Sequence, residues 1–324
     1  MKANSSYMVK YVLKRVLLMI FTFVVIMTIC FFLIKLLPLP AVKAMGKDVN
    51  IILARREAMG YNKPIIVQYG LYWKHILHGN FGLGEQLYEA REVGAIMLSK
   101  IPYSVVVNLY SILIAIPLGI IFGIYAALKK NKWQDHLIST LVMVLVSVPS
   151  YVYAFLVQFF LCFKTGWFSL TILSREVTPF FSWAMFKSML PAVIALAMGT
   201  VAGLTRFVRA ELAEVLTGDY MLLARTKGLT KRQAVERHAM KLAMVPILPM
   251  ILSEFMGILG GSLIIENIFG IPGIGNLYIN AINVRDYNFF MALTLFYTLL
   301  DLMAGLVIDL SYGFIDPRIK MGAK

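Results

Sequence analysis

The sequence predicts an all-α integral membrane protein with six transmembrane helices. Three observations carry that. The 324 residues are 60% hydrophobic and 15% charged, with a mean hydropathy of +0.77. Several apolar runs reach about 20 residues, the length that spans a ~30 Å hydrocarbon core. The basic residues behind a net charge of +14 cluster in the loops between those runs, which is the positive-inside pattern. That distribution argues for a bilayer and against nucleic acid as the partner.

In chain order, hydropathy places spans over residues 11–37, 103–128, 137–163, 189–208, 242–265 and 289–314. The first follows Lys10, Lys14 and Arg15 and looks at first like a secretion signal. Its apolar run, 16–34, is longer than a signal h-region, and no small-x-small cleavage site follows, so it reads as a retained span. An even number of spans puts both termini on one side. Residues 2–15, 129–132, 206–241 and 318–324 hold eighteen of the 31 basic residues, so that side is cytoplasmic. The opposite loop, 267–288, carries only Arg285. The 38–102 segment carries more, but long loops escape the rule.

That long outer segment is expected to be ordered. Asn62 and Pro64 mark a helix start, since proline suits the first turn. Ile65, Ile66, Tyr69, Tyr72, Trp73, Ile76 and Leu77 then recur at helical spacing up to Gly79. Tyr and Trp on such a face suit the membrane–water boundary. Two readings stand together: a helix that lids the bundle, and a docking surface for an extracellular partner. Within the spans, Gly119/Gly123, Gly199/Gly203 and Gly257/Gly261 are small-xxx-small pairs that allow close helix approach. Pro117, Pro149 and Pro191 are expected to kink or start spans, which membrane helices tolerate.

Glu254, Asp301 and Asp309 interrupt apolar spans. Such groups are costly in lipid and face a cavity or a partner. Glu254 is read either as pathway lining or as an interhelical pair. Asp309 is read as pairing with a basic residue such as Arg206. After the fifth span, Glu266 leads into Ile271, Pro272, Gly273 and Gly275, where glycine and proline break any helix. A non-helical apolar loop enters a membrane only where protein or a wet cavity surrounds it. The stretch reads as a re-entrant or gate-forming loop, or as a plain tight connection.

The most distinctive segment is polar and basic and lies between the fourth and fifth spans, at 219–246. Asp219 is a candidate N-cap. Arg225 and Lys227 suit the negative end of a short helix. Gly228 is placed to turn the chain with φ > 0. Thr230 and Gln233 then match a capping box. Two short helices are therefore expected to meet at Gly228 on the cytoplasmic face, a rigid basic element suited to gripping a soluble partner.

Other chemistry is not written here. Cys30 and Cys162 sit in apolar runs, and His75 and His78 lack further ligands, so no metal site is expected. No phosphate-loop motif occurs, so ATP hydrolysis by that route is excluded; no HExxH or GxSxG occurs either.

The segment DYMLLARTKGL (219–229), followed by HAMKLAMVPILP (238–249), resembles the cytoplasmic "EAA" loop of ABC-importer permeases. The likeness continues through GGSLIIENIFGIPGIG (260–275), RDY (285–287) and DPR (316–318), and covers VKYVLKR (9–15), KPIIVQY (63–69) and AIPLGI (115–120). The chain is similar over nearly its whole length to the B-type permease subunit of oligopeptide, dipeptide and nickel importers. Two departures stand out. The family's PGDP-like turn after the first span is replaced by residues 37–41, LPLPA. The acidic first position of the EAA loop is replaced by Leu222, which favours an apolar contact there.

The resemblance implies a type I ABC importer permease fold, with an extracytoplasmic helical segment between spans one and two. It implies an N-terminal unit at 1–98, a five-span core at 99–314 containing a coupling loop at 210–241, and a cytoplasmic tail at 315–324. It implies a bacterial inner membrane, a second C-type permease as heterodimer partner, two cytosolic ATPases that bind the ATP and Mg, and an extracytoplasmic substrate-binding protein. The chain itself would hold no cofactor, and membrane lipid surrounds it. Asp219, Tyr220, Leu222, Ala224, Arg225, Lys227, Gly228 and Leu229 would couple to the ATPase, with Ala224 allowing close approach. Glu254, Glu266, Ile271, Pro272, Gly273 and Gly275 are the pathway and gate candidates. A small-solute importer such as one for nickel remains the near alternative. A stand-alone secondary carrier or channel is the alternative of a different class; no internal repeat is evident to support it.

Overall fold

The computed structural model describes residues 2–38, 47–170, 172–173 and 178–315. The Leu39–Ala41 part of the turn after the first span, the DPR at 316–318 and the tail lie outside these residues.

The chain runs through fourteen α-helical elements among the described residues. They are α1 Lys2–Leu36, α2 Lys47–Ala58, α3 Ile65–Leu77, α4 Val93–Leu128, α5 Trp133–Ser147, α6 Ser150–Val157, α7 Trp183–Thr217 and α8 Asp219–Thr226. Then come α9 Lys231–Ala234, α10 Met240–Met244, α11 Ile247–Gly257, α12 Leu263–Ile268, α13 Ile274–Val284 and α14 Tyr287–Ile315. Wider π-helical turns continue α6 over Gln158–Lys164 and join α9 to α10 over Val235–Ala239. Among the described residues, four helices are long and apolar enough to cross a membrane, or up to six spans if each of two bent pairs counts as one.

The bent pairs lie over the expected spans three and five, and the break in the third falls at Pro149, one of the prolines expected to kink or start a span. The third bends by 104° between Ser147 and Ser150, where Pro149 caps α6 without an N–H to give. The fifth bends by 56° between Met244 and Ile247, next to Pro246. It also ends at Gly257 rather than at Ile265, because Gly261 takes φ +63° and starts a separate helix, α12. Pro117 and Pro191 lie inside α4 and α7, which run on through them.

The core is built on α4 packed along α7. Gly119 and Gly123 make this possible: a Cβ on Gly119 would stand 2.7 Å from Leu204 Cβ, and one on Gly123 2.5 Å from Val208 Cβ. The other two glycine pairs do not serve this way within the chain. Nothing lies within 4 Å of a Cβ on Gly203 or Gly257, and Gly261 is not helical but turns the chain against Glu266. With 35 residues, α7 is about 50 Å long at 1.5 Å per residue. That exceeds the ~30 Å an apolar core requires, and its C-terminal end leads through Gly218 into α8.

At the opposite end, α3 begins after Pro64 and stops at Gly79, φ +71°. Its Tyr69, Tyr72, Trp73 and Ile76 pack on Met27 and Phe31 of α1, in a cluster shared with Tyr287 and Met291 of α14. Thr28 and Tyr69 join hydroxyls at 2.7 Å. The helix therefore packs across α1 through edge-to-face aromatic contacts.

Candidate coupling and gate elements

The coupling stretch forms two helices around Gly228, which takes φ +85°. Thr230 and Gln233 complete the capping box: Thr230 Oγ1 accepts from Gln233 N at 3.3 Å, and Thr230 N donates to Gln233 Oε1 at 3.1 Å. Asp219 is not the cap. Gly218 holds that position, and Asp219 is the first helical residue, acting through its charge near the positive end of the dipole.

Only one flank of α8 is buried. Met221 and Ala224 are 6% and 5% exposed and pack on Leu212 and Ala213 of α7 and on Ala234, Val235, Ala239 and Ala243 of the following helices. The run of alanines lets these short helices approach closely. The small side chain of Ala224 seats α8 against its own chain. Asp219, Tyr220, Leu222, Leu223, Arg225, Thr226, Lys227 and Gly228 are exposed, and Leu229 is half-buried against the same alanine cluster.

At the other end, Glu266 is 1% exposed. Its Oε2 accepts from Gly275 N at 2.8 Å and Asn276 N at 3.1 Å, the free amides at the start of α13. Ser104 of α4 lies beside this carboxylate and its Oγ accepts from Ile274 N at 2.9 Å. Gly273 is required here, since a Cβ on it would collide with both Ser104 and Glu266. Ile271 is fully buried among Tyr103, Val107 and Met189. Glu266, Ile271, Gly273 and Gly275 therefore lie inside the protein and tie α12, α13 and α4 together, while Pro272 is half-buried.

The acids at depth separate. Glu254 Oε2 accepts from Thr200 Oγ1 at 3.2 Å, which joins α11 to α7. Asp301 is exposed on the surface of α14. Asp309 is ion-paired with Arg15 at 3.0 Å, so the expected basic partner comes from α1 and is not Arg206. Among the described residues, no group of three or more His, Cys, Asp or Glu is placed to hold a metal ion.

Residues 119–321 match the family described as binding-protein-dependent transport system inner membrane component. The chain belongs to that family. Residues 8–107 match the N-terminal part of the same kind of membrane component. The permease is 32% identical over 314 residues to a dipeptide transport system permease protein of Lactococcus lactis subsp. cremoris, covering 97% of this chain and 100% of that one. It is 33% identical over 316 residues to an oligopeptide transport system permease protein of Escherichia coli K12, with the same coverage. It is 32% identical over 327 residues to a dipeptide permease of Bacillus subtilis, covering 98% and 100%. One solved structure, titled as the crystal structure of an amino acid ABC transporter with histidines, superposes with a TM-score of 0.51 at 18% identity. It covers 68% of this chain and 94% of that one, and shows that the permease shares its fold.

Two polar clusters of the permease escaped the reading of the sequence. Asp286, fully buried, accepts three backbone amides on Oδ2, from Glu85 at 2.8 Å, Gln86 at 2.8 Å and Leu87 at 3.0 Å. Its Oδ1 accepts from Phe289 N at 3.3 Å and so caps α14. Glu85, equally buried, takes Arg56 of α2 at 2.5 Å. Burial pushes the Glu85 carboxyl above the usual range, and the Arg56 hydrogen bond opposes that. The second cluster holds Asp135, 1% exposed, which accepts from Arg209 Nη2 at 2.8 Å, Asn131 N at 2.9 Å and Ser139 Oγ at 3.2 Å. An Asp three residues before a predicted span was the available signal for Asp286, and a lone acid beside three lysines the signal for Asp135.

Proposed function

We propose that this permease is one of two unlike membrane subunits of an ATP-driven, binding-protein-dependent importer of oligopeptides or dipeptides. The substrate class follows the relatives, which match over 97% of this chain and the whole of theirs. In this reading both termini are cytoplasmic. Residues 1–98 supply the first span and the outer segment, 99–314 the core, and 210–241 the coupling loop. ATP and Mg are bound by two separate ATPase subunits, and an extracytoplasmic protein delivers substrate to the outer face.

One observation carries the coupling step. Helix α8 is anchored by Met221 and Ala224 at the C-terminal end of α7, while Asp219, Tyr220, Leu223, Thr226 and Lys227 are bare. A short helix with one fixed flank transmits force as a rigid body. ATPase closure supplies the free-energy difference between two states, and α8 passes it into α7 as rigid-body rotation. Glu254, held by Thr200, and the exposed Asp301 supply polar groups toward the pathway and the second permease, since an acid at such depth needs a wet or protein partner.

A Leu223→Cys variant tests the coupling role. In membranes holding the whole importer, a short bifunctional reagent should link it to an ATPase subunit, and the yield should change when nucleotide is added. Full uptake with no link to any ATPase would overturn it.

A further inference from the structure

A second recognition surface lies on a different side of α8. Leu222 and Arg225, three residues apart, share one flank. That flank closes a cleft of about 530 Å³ with Lys130 and Lys132 of the α4–α5 turn and Lys231 at the start of α9. The floor is apolar: Ala127, Leu128, Leu216 and Met221. All four cations are exposed, and none of them makes an ion pair among the described residues. No acidic side chain lines the cleft.

The position of the cleft says what reaches it. The α4–α5 turn follows the last residue of one span and precedes the first of the next. Trp133 is 70% exposed there, with Leu128 and Leu137 beside it also bare. An exposed Trp between aliphatic side chains marks the headgroup level of a bilayer. The turn itself is rigid: Asn131 takes φ +64° and donates to the buried, Arg209-paired Asp135. Four exposed, unpaired cations over an apolar floor, beside a turn that carries an exposed Trp, match an anionic phosphate carrying acyl chains.

We propose that this cleft holds the headgroup of an anionic phospholipid, which bridges the α4–α5 turn to the coupling helix. The lipid would neutralise the cleft and fix the angle of α8, leaving the Leu223 side free. Transport would then depend on lipid charge at a cleft beside the ATPase contact, with Leu222 and Arg225 on its wall.

The test is native mass spectrometry of the full-length permease released from vesicles of phosphatidylcholine with phosphatidylglycerol. Phosphatidylglycerol should be retained in preference to phosphatidylcholine. Each of Lys130→Gln, Lys132→Gln and Lys231→Gln should weaken retention about fivefold, while Lys10→Gln with Lys14→Gln, on the same side, leaves it unchanged. Leu222→Trp should expel the lipid by filling the cleft with every cation intact. Equal retention of both lipids, or retention unaffected by the lysine variants and by Leu222→Trp, would overturn the proposal. Displacement by millimolar inorganic phosphate would also overturn it, assigning a soluble anion instead. So would a whole importer in which the cleft lysines cross-link to an ATPase and no lipid is retained.

Discussion

At the scale of single residues, buried acids hold the permease together by collecting backbone amides that nothing else satisfies. Asp286 takes three from the 85–87 segment and one from its own helix. Asp286→Ala would orphan them, at about 1–3 kcal/mol for each buried donor. The melting midpoint of the purified protein in detergent should fall by several degrees, and Asp286→Asn should fall less, since one oxygen remains. Glu85 behaves differently because its carboxyl titrates above the usual range. A buried acid with a raised folded pKa favours the fold below its ordinary pKa and loses that contribution as pH rises through the raised value. Arg56 offsets the loss. Arg56→Met should therefore loosen the 82–92 segment more at pH 8 than at pH 5. Amide exchange of residues 83–92 at the two pH values checks this; equal protection at both would show that Glu85 does not titrate there.

At the scale of elements, the coupling unit depends on one backbone conformation. Gly228 at φ +85° has open space where a Cβ would sit, so crowding is not its reason. A β-branched residue is strained at that φ wherever it is placed. Gly228→Val should abolish uptake while the protein still reaches the membrane at normal abundance, as immunoblotting and a transport assay on the same cells would show. Retained uptake would mean that the turn does not set the angle between α8 and α9. The capping box and the turn were legible in the sequence because they are local: Thr230, Gln233 and Gly228 act within three or four residues. The seat of Ala224 was not, since its neighbours Ala213, Ala239 and Ala243 arrive from two other helices.

At the scale of the whole molecule, the chain is a set of helices with unfinished business at several surfaces. Asp301 faces outward from α14, Gly203 and Gly257 have nothing against them, and the outer flank of α8 is bare. The purified permease alone should show no saturable binding of a fluorescent ATP analogue, and binding should appear only when ATPase subunits are added.

By itself, the sequence determined the fold class, the turn at Gly228 and the resemblance that the family match bears out. Each rests on composition, on contacts a few residues apart, or on motifs spelled out in order. Only the tertiary structure decided that the fifth span bends, that Ala224 points inward, that Glu266 braces α13 from within, and that Asp286 clamps a segment some two hundred residues away. Those outcomes depend on which helices meet, and hydropathy cannot rank one apolar neighbour over another.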